Sequence, residues 1–183
     1  MIDAKAAKRM LVDGNKKYID SETSCGDVSL SLRRKTASDG QHPYAIIVTC
    51  SDSRVIPEGI FSASIGDLFV IRTAGNVISE HELGSIEYAA EHLGIKLVVV
   101  MGHTRCGAVG AAIDRASGRF TVPIIRDILA AIGDETDDCR ASCLNVRSGV
   151  EKIKHEIGYE SPNSFEIIGA IYHIEDGYVE WLD

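Results

Sequence analysis

The sequence predicts an α/β fold: a central, mostly parallel sheet of four strands plus a C-terminal antiparallel strand, flanked by helices. Apolar, β-rich runs such as Tyr44-Ala45-Ile46-Ile47-Val48-Thr49 recur without polar alternation, the mark of strands buried on both faces. Helical segments separate them, and strands alternating with helices favour parallel pairing through crossovers. Asp176-Gly177, between the last two β-rich runs, is a tight-turn signal that reverses the chain into an antiparallel edge.

In chain order, Ala4 to Tyr18 reads as a helix with Ala7, Met10 and Leu11 on its buried side, and Gly14 is expected to loosen its last turn. Ser21 to Gly26 is turn-like. A second helix runs from about Ser29 to Ser38, where Asp39-Gly40 breaks it. The expected strands are Tyr44–Thr49, Asp67–Arg72, Lys96–Met101, Phe165–Tyr172 and Tyr178–Leu182. Ser79 and Glu82 form a capping box that opens a helix running toward Gly94. Another helix starts near Cys106, and a longer one spans roughly Cys139 to Ile157 before Gly158. No motif stands out between Asp114 and Arg147. A chain of 183 residues is long enough for one well-buried domain, read here as 1–183 with an N-terminal helical arm over about 1–40.

The formal charge of −8 argues against a nucleic-acid partner, because neutralising phosphates needs a basic face. The densest basic run, Arg33-Arg34-Lys35, reads as a solvated patch. Leu97-Val98-Val99-Val100-Met101 has the length of a buried strand and not of a membrane span, so no membrane partner is expected. The N-terminus shows no signal-peptide pattern. Five cysteines (25, 50, 106, 139 and 143) are an odd count, with two placed near His and Asp. That pattern favours metal binding in a reducing compartment over a disulfide framework, and the cytoplasm is the expected location.

The chemistry concentrates in two segments. Cys50-Ser51-Asp52-Ser53-Arg54 closes the first expected strand, and His103-Thr104-Arg105-Cys106 closes the third. Two thiolates and one imidazole make a three-ligand set for zinc, with a fourth position left for water or substrate. Each piece alone has a plainer reading: a strand-end Cys as a small buried hydrophobe, His103 as a core histidine, Asp52–Arg54 as a turn brace. Together they favour a metal site. If the first and third strands are neighbours, their carboxyl ends bring the ligands together, where ligands bind in open parallel sheets. Asp52 beside Arg54 stays ionised and can accept a hydrogen bond, or can ligate zinc directly if the Arg54 contact breaks.

These residues resemble the signature of the β-class carbonic anhydrases. The likeness continues through Gly66-Asp67-Leu68-Phe69-Val70-Ile71-Arg72-Thr73-Ala74-Gly75-Asn76 and Gly84-Ser85-Ile86-Glu87-Tyr88-Ala89, and ends in Ile168-Gly169-Ala170-Ile171-Tyr172. The resemblance implies Zn2+ held by Cys50, His103 and Cys106, with Asp52 and Arg54 as the catalytic dyad. It implies reversible hydration of carbon dioxide to bicarbonate and a proton by zinc-bound hydroxide, in a homodimer or higher even-numbered homo-oligomer. The active sites would lie near the interface and an N-terminal helix would embrace the partner. Gln41, nine residues before Cys50, matches a plant-type pocket glutamine, and Phe69 and Tyr88 match its aromatic residues. Plainer readings are a solvated turn for Gln41 and core packing for the two rings. Members with an inhibitory bicarbonate pocket carry a tryptophan where Ile47 stands, which argues against that regulation here. Two thiolates cancel the formal zinc charge, so activity is expected to rise into the alkaline range.

Two rival functions share these residues: a carbon disulfide or carbonyl sulfide hydrolase on the same scaffold, and a non-catalytic zinc-binding domain. The second is disfavoured because a structural site needs neither an open position nor Asp52 and Arg54. His81, His92 and His155 read as surface or interface residues, and Trp181 as packing. Cys139 and Cys143 share a helical face at i, i+4, where partial burial is the plainer reading and metal binding the alternative.

Overall fold

A computed structural model describes residues 2–21, 26–116, 118, 121–158 and 165–182. Cys25 and most of the expected turn at 21–26 lie outside the described residues. Two helices, α1 (Ala4–Asp20) and α2 (Leu30–Asp39), precede β1 (Ala45–Cys50), a short α3 (Pro57–Ile60) and β2 (Leu68–Thr73). A 3-10 turn at Ala74–Asn76 leads to α4 (Glu80–His92), β3 (Leu97–His103), α5 (Gly107–Ile113), α6 (Val122–Ile132) and α7 (Asp138–Ile153). The chain ends in β4 (Glu166–Tyr172) and β5 (Val179–Leu182).

The sheet has five strands in the order β2-β1-β3-β4-β5. Its first four are parallel, and β5 runs antiparallel to β4. The chain leaves β1 toward β2 on one side and later returns to place β3 on the other. The order therefore switches direction between β1 and β3, which pair directly through Ile46↔Val98 to Thr49↔Met101. Every residue of β1 and β3 is buried, as their unbroken apolar runs require. Alternation divides them between two cores. Ala45, Ile47, Leu97, Val99 and Met101 meet α1 and α3 on one face, while Ile46, Val48, Val98 and Val100 meet α4 and α7 on the other. Burying each such aliphatic side chain stabilises the fold by roughly 1.5–3 kcal/mol before entropy is counted.

Several details depart from the sequence expectation. β3 continues through His103, two residues beyond its expected end, because Gly102 and His103 pair with Ile171 and Tyr172. Cys50 likewise closes β1 from within, opposite Thr73. Met10 is 42% exposed instead of buried. The inward side of α1 is Ala7, Leu11, Gly14 and Asn15. Gly14 does not loosen that helix but lets it approach closely, since a Cβ there would lie 2.0 Å from the Phe61 carbonyl oxygen. Asn15 then ties α1 to its own chain, donating to the Ile60 and Gly177 carbonyls and accepting from the Val179 amide. α6, which had no sequence motif, buries Ile125, Ile128 and Ile132 on one helical stripe. The α-helix of α7 stops at Ile153, and a single π turn, Lys154–Gly158, completes the expected span. Trp181 packs as expected, stacked on Phe61 at 6.3 Å with Lys8 Nζ 5.5 Å above its ring. Among the described residues no helix is long and apolar enough to cross a membrane.

Candidate metal centre and active site

The direction switch between β1 and β3 sets the place of the site, because two side chains there share one crevice at the carboxyl edge. Cys50 ends β1, His103 ends β3, and Cys106 caps α5 three residues further on. Their ligand atoms all lie within 4.8 Å of one another, and the two sulfurs are 4.0 Å apart. All three residues are buried, with His103 fully so. This is the group among the described residues whose His, Cys, Asp and Glu atoms could together hold a metal ion.

His103 is oriented by its neighbour. Its Nδ1 lies 2.9 Å from the Thr104 carbonyl oxygen, which can only accept, so Nδ1 carries the proton. Nε2 is then the free nitrogen turned toward the sulfurs, and it has no hydrogen-bond partner. A buried, unpartnered ring nitrogen beside two thiols is costly unless something electron-poor binds there. Soft donors within reach of a four-coordinate centre fit zinc chemistry.

The thiols are already unequal. The Cys50 thiol is pulled down because its sulfur accepts from the Cys106 thiol and from the amides of Asp52 and Gly75, which together outweigh burial. Those amides lie 3.4 and 3.3 Å away. Cys106 is pushed up by donating to Cys50 and by burial, so it holds the shared proton. Binding a cation would release that proton. Gly75 makes its approach possible: it sits at φ +64, and a Cβ there would press on Ile128 and Ala108.

Asp52 stands beside this group but is occupied. Its Oδ1 accepts from the Arg54 amide and Nε, both at 2.9 Å, and its Oδ2 accepts from Arg54 Nη2 at 2.7 Å. The guanidinium hydrogen bonds hold its carboxyl well below the usual carboxylate range. Oδ2 remains 4.0 Å from His103 Nε2, at the rim of the donor group and not within it. Arg72, which carried no role in the sequence reading, braces this loop by donating to the Cys50 and Asp52 carbonyls.

The expected pocket residues lie elsewhere. Gln41 is exposed and precedes β1. Phe69 pairs with Ile46, four register positions from the Cys50–Thr73 pair, or about 13 Å along the strand. Tyr88 is 49% exposed on α4, its ring 6.3 Å from that of Phe69. One chain therefore brings Cys50, Asp52, Arg54, His103 and Cys106 together at the carboxyl edge and leaves the other three toward the amino end. His81, His92 and His155 are exposed. Cys139 and Cys143 sit on α7, exposed and half-buried respectively. Ile47 is fully buried in the core.

Known proteins resemble this chain in sequence and fold. The family profile described as carbonic anhydrase matches residues 45–179. Carbonic anhydrase 2 of Mycobacterium tuberculosis is 43% identical over 190 aligned residues, covering 94% of this chain and 89% of that protein. The crystal structure of a β-carbonic anhydrase from the fungal pathogen Aspergillus fumigatus superposes with a TM-score of 0.72 at 30% identity, covering 84% of this chain and 81% of that one. A structure of the tetrameric β-carbonic anhydrases of Sordaria macrospora gives 0.66 at 28% identity, over 84% and 87%. The profile spans every strand that positions the donors, and the likeness runs through sequence and fold alike: the chain belongs to the β-class carbonic anhydrases, a family of lyases.

Proposed function

We propose that this protein catalyses the zinc-dependent, reversible hydration of carbon dioxide to bicarbonate and a proton. The observation that carries the reading is the convergence of Cys50, His103 and Cys106 with an ionised Asp52 at their rim. Cys50 and Cys106 as thiolates and His103 through Nε2 would hold the ion, whose Lewis acidity makes water a nucleophile near neutral pH. The chain's own residues do the rest. Arg54 keeps Asp52 charged, so its carboxylate can only accept hydrogen bonds. A water whose proton points at Oδ2 has its lone pair turned away from Asp52, ready for attack on a carbonyl carbon. Arg54 thereby orients the acceptor, and Asp52 orients the nucleophile.

The position of Gln41, Phe69 and Tyr88 supports an assembly. To bind substrate beside the donors they would have to come from a second copy, and a homodimer or a higher even-numbered homo-oligomer supplies one. Among the described residues β2 is a sheet edge, bonded to β1 alone, and offers a surface for such pairing. The Gln41 amide would then donate to a substrate oxygen against the two rings.

Stopped-flow hydration on metal-quantified protein, run in parallel with carbonyl sulfide and carbon disulfide, tests the reading. Carbon dioxide turnover that rises toward alkaline pH supports it. Full zinc occupancy without turnover of carbon dioxide at any pH would overturn it, and turnover of the sulfur compounds alone would transfer the scaffold to the hydrolase reading.

A further inference from the structure

We propose that Asp138 and Glu175 are positioning residues that lock the Thr104–Arg105 link between two of the metal-ligand candidates, and through it seat the Arg54–Asp52 pair. The inference rests on the function proposed above for its kinetic readouts only.

His103 and Cys106 can face one point only if the chain turns sharply between them. Arg105 makes that turn at φ +55, the left-handed region that a side chain with a Cβ rarely adopts. The turn is gripped from outside at several of its polar groups. The Arg105 amide donates to Asp138 Oδ2 at 2.9 Å, from the first residue of α7. Arg105 Nε meets Glu175 Oε1 at 2.7 Å, and the Thr104 hydroxyl donates to Glu175 Oε2 at 2.9 Å, so one carboxylate spans two successive residues. Thr104 Oγ1 accepts in turn from the Ile174 amide at 3.1 Å, and the Thr104 amide donates to the Tyr172 carbonyl.

The turn is also wired to the dyad. The Arg105 carbonyl accepts from Arg54 Nη2 at 3.2 Å, the same nitrogen that holds Asp52 Oδ2. Arg54 is thus fixed by two anchors, Asp52 and the Arg105 carbonyl, and the second stays in place only while Arg105 keeps its conformation. Glu175 and Arg105 are 45% and 73% exposed at their side chains, and ion pairs so placed add little stability. What they supply is geometry. Asp137, the neighbouring N-cap of α7, accepts from the Arg140 amide where Asp138 accepts from the Arg105 amide, which makes it the matched control.

The experiment compares Asp138→Ala, Asp138→Asn, Glu175→Ala and Asp137→Ala as zinc-loaded protein. It measures kcat and KM, zinc release to a chelator, amide exchange at Arg105 and the unfolding midpoint. Asp138→Ala is expected to lose kcat by roughly tenfold and to speed zinc release by a similar factor, as outer residues around a metal site do. The Arg105 amide should lose protection while KM changes less than about twofold. Asp138→Asn keeps an acceptor oxygen and should recover most of both. Glu175→Ala should lower kcat severalfold with the unfolding midpoint unchanged, whereas Asp137→Ala should lower the midpoint and leave kcat alone. Wild-type zinc release and Arg105 protection in Asp138→Ala would overturn the proposal, as would an Asp138→Asn variant as impaired as Asp138→Ala. A wild-type protein without hydration activity would sink the function and leave release and exchange to decide the positioning role.

Discussion

The two ends of β1 differ in what one chain can finish. At the carboxyl end, Cys50, His103 and Cys106 converge within 4.8 Å, with Asp52 already oriented by Arg54. At the amino end, Gln41, Phe69 and Tyr88 sit exposed or half-buried, away from the donor group. Parallel pairing across a direction switch brings strand ends together by topology alone, so the donor group is built by the fold itself. On the function proposed above, residues at the opposite edge would gain their role from a second copy of the chain. The difference separates a property of the chain from a property of its assembly.

The largest effect should come from breaking the carboxyl end. Cys106→Ser is expected to weaken zinc binding by at least about a hundredfold, since even supporting residues around such ions cost 10–100-fold; metal analysis after dialysis reads it directly. Full zinc content in that variant would remove Cys106 from the ligand set. Asp52→Ala should keep its zinc and lose roughly a hundredfold in kcat, the scale of a missing oriented acceptor, in stopped-flow assays.

A mixing experiment sharpens the comparison itself. Gln41→Ala and Asp52→Ala proteins, each impaired alone, would be unfolded together and refolded at equal concentration. If Gln41 serves the partner's site, random dimers restore about one quarter of the sites to full composition. If it serves its own chain, every site carries a lesion and activity does not recover.

The smallest effect concerns α4, the helix that carries Tyr88. Its first turn is held by the Ser79–Glu82 capping box. Burial alone would raise the Glu82 carboxyl, but hydrogen bonds from the Ser79 hydroxyl and amide outweigh it and hold the group low. A carboxylate lowered on folding adds stability above its unfolded value, here near 4.5, and loses it as pH falls through the folded one. The stability difference between wild type and Glu82→Gln, which keeps the box but cannot ionise, should be flat from about pH 8 to pH 6 and shrink below pH 4, by roughly 0.5–1 kcal/mol in denaturant titrations. A difference that grows on acidification would reverse the sign assigned to this group.

Much of the carboxyl end was legible before any coordinates. Buried strands announce themselves as unbroken apolar runs, and Cys50 and His103 stand at their ends with ligand chemistry written in the side chains. Helix α6 was legible too, in the spacing of Ile125, Ile128 and Ile132, but a search for motifs passes over a plain amphipathic stripe. Gly14 misleads for a physical reason: propensity counts what glycine costs a helix, and only the fold shows the Phe61 carbonyl it lets in. Asp138 and Glu175 carry no local signal, because their meaning arises when α7 and the turn between β4 and β5 fold over the end of β3. The destination of Gln41, Phe69 and Tyr88 is harder still, since a single sequence does not say whose site a residue completes.

The 4.0 Å between the sulfurs of Cys50 and Cys106 has a practical side. Whatever ion they hold also keeps them apart chemically, because a thiolate bound to a cation is a poor target for oxidants. Stripped by chelator in air, the two become a dithiol poised to close into a disulfide, releasing two protons and passing two electrons to oxygen. Such a bond would consume both soft donors at once, and added zinc could not then rebuild the centre. Ageing of the metal-free protein should therefore be reversible by thiol reductant followed by zinc, in that order and not the other.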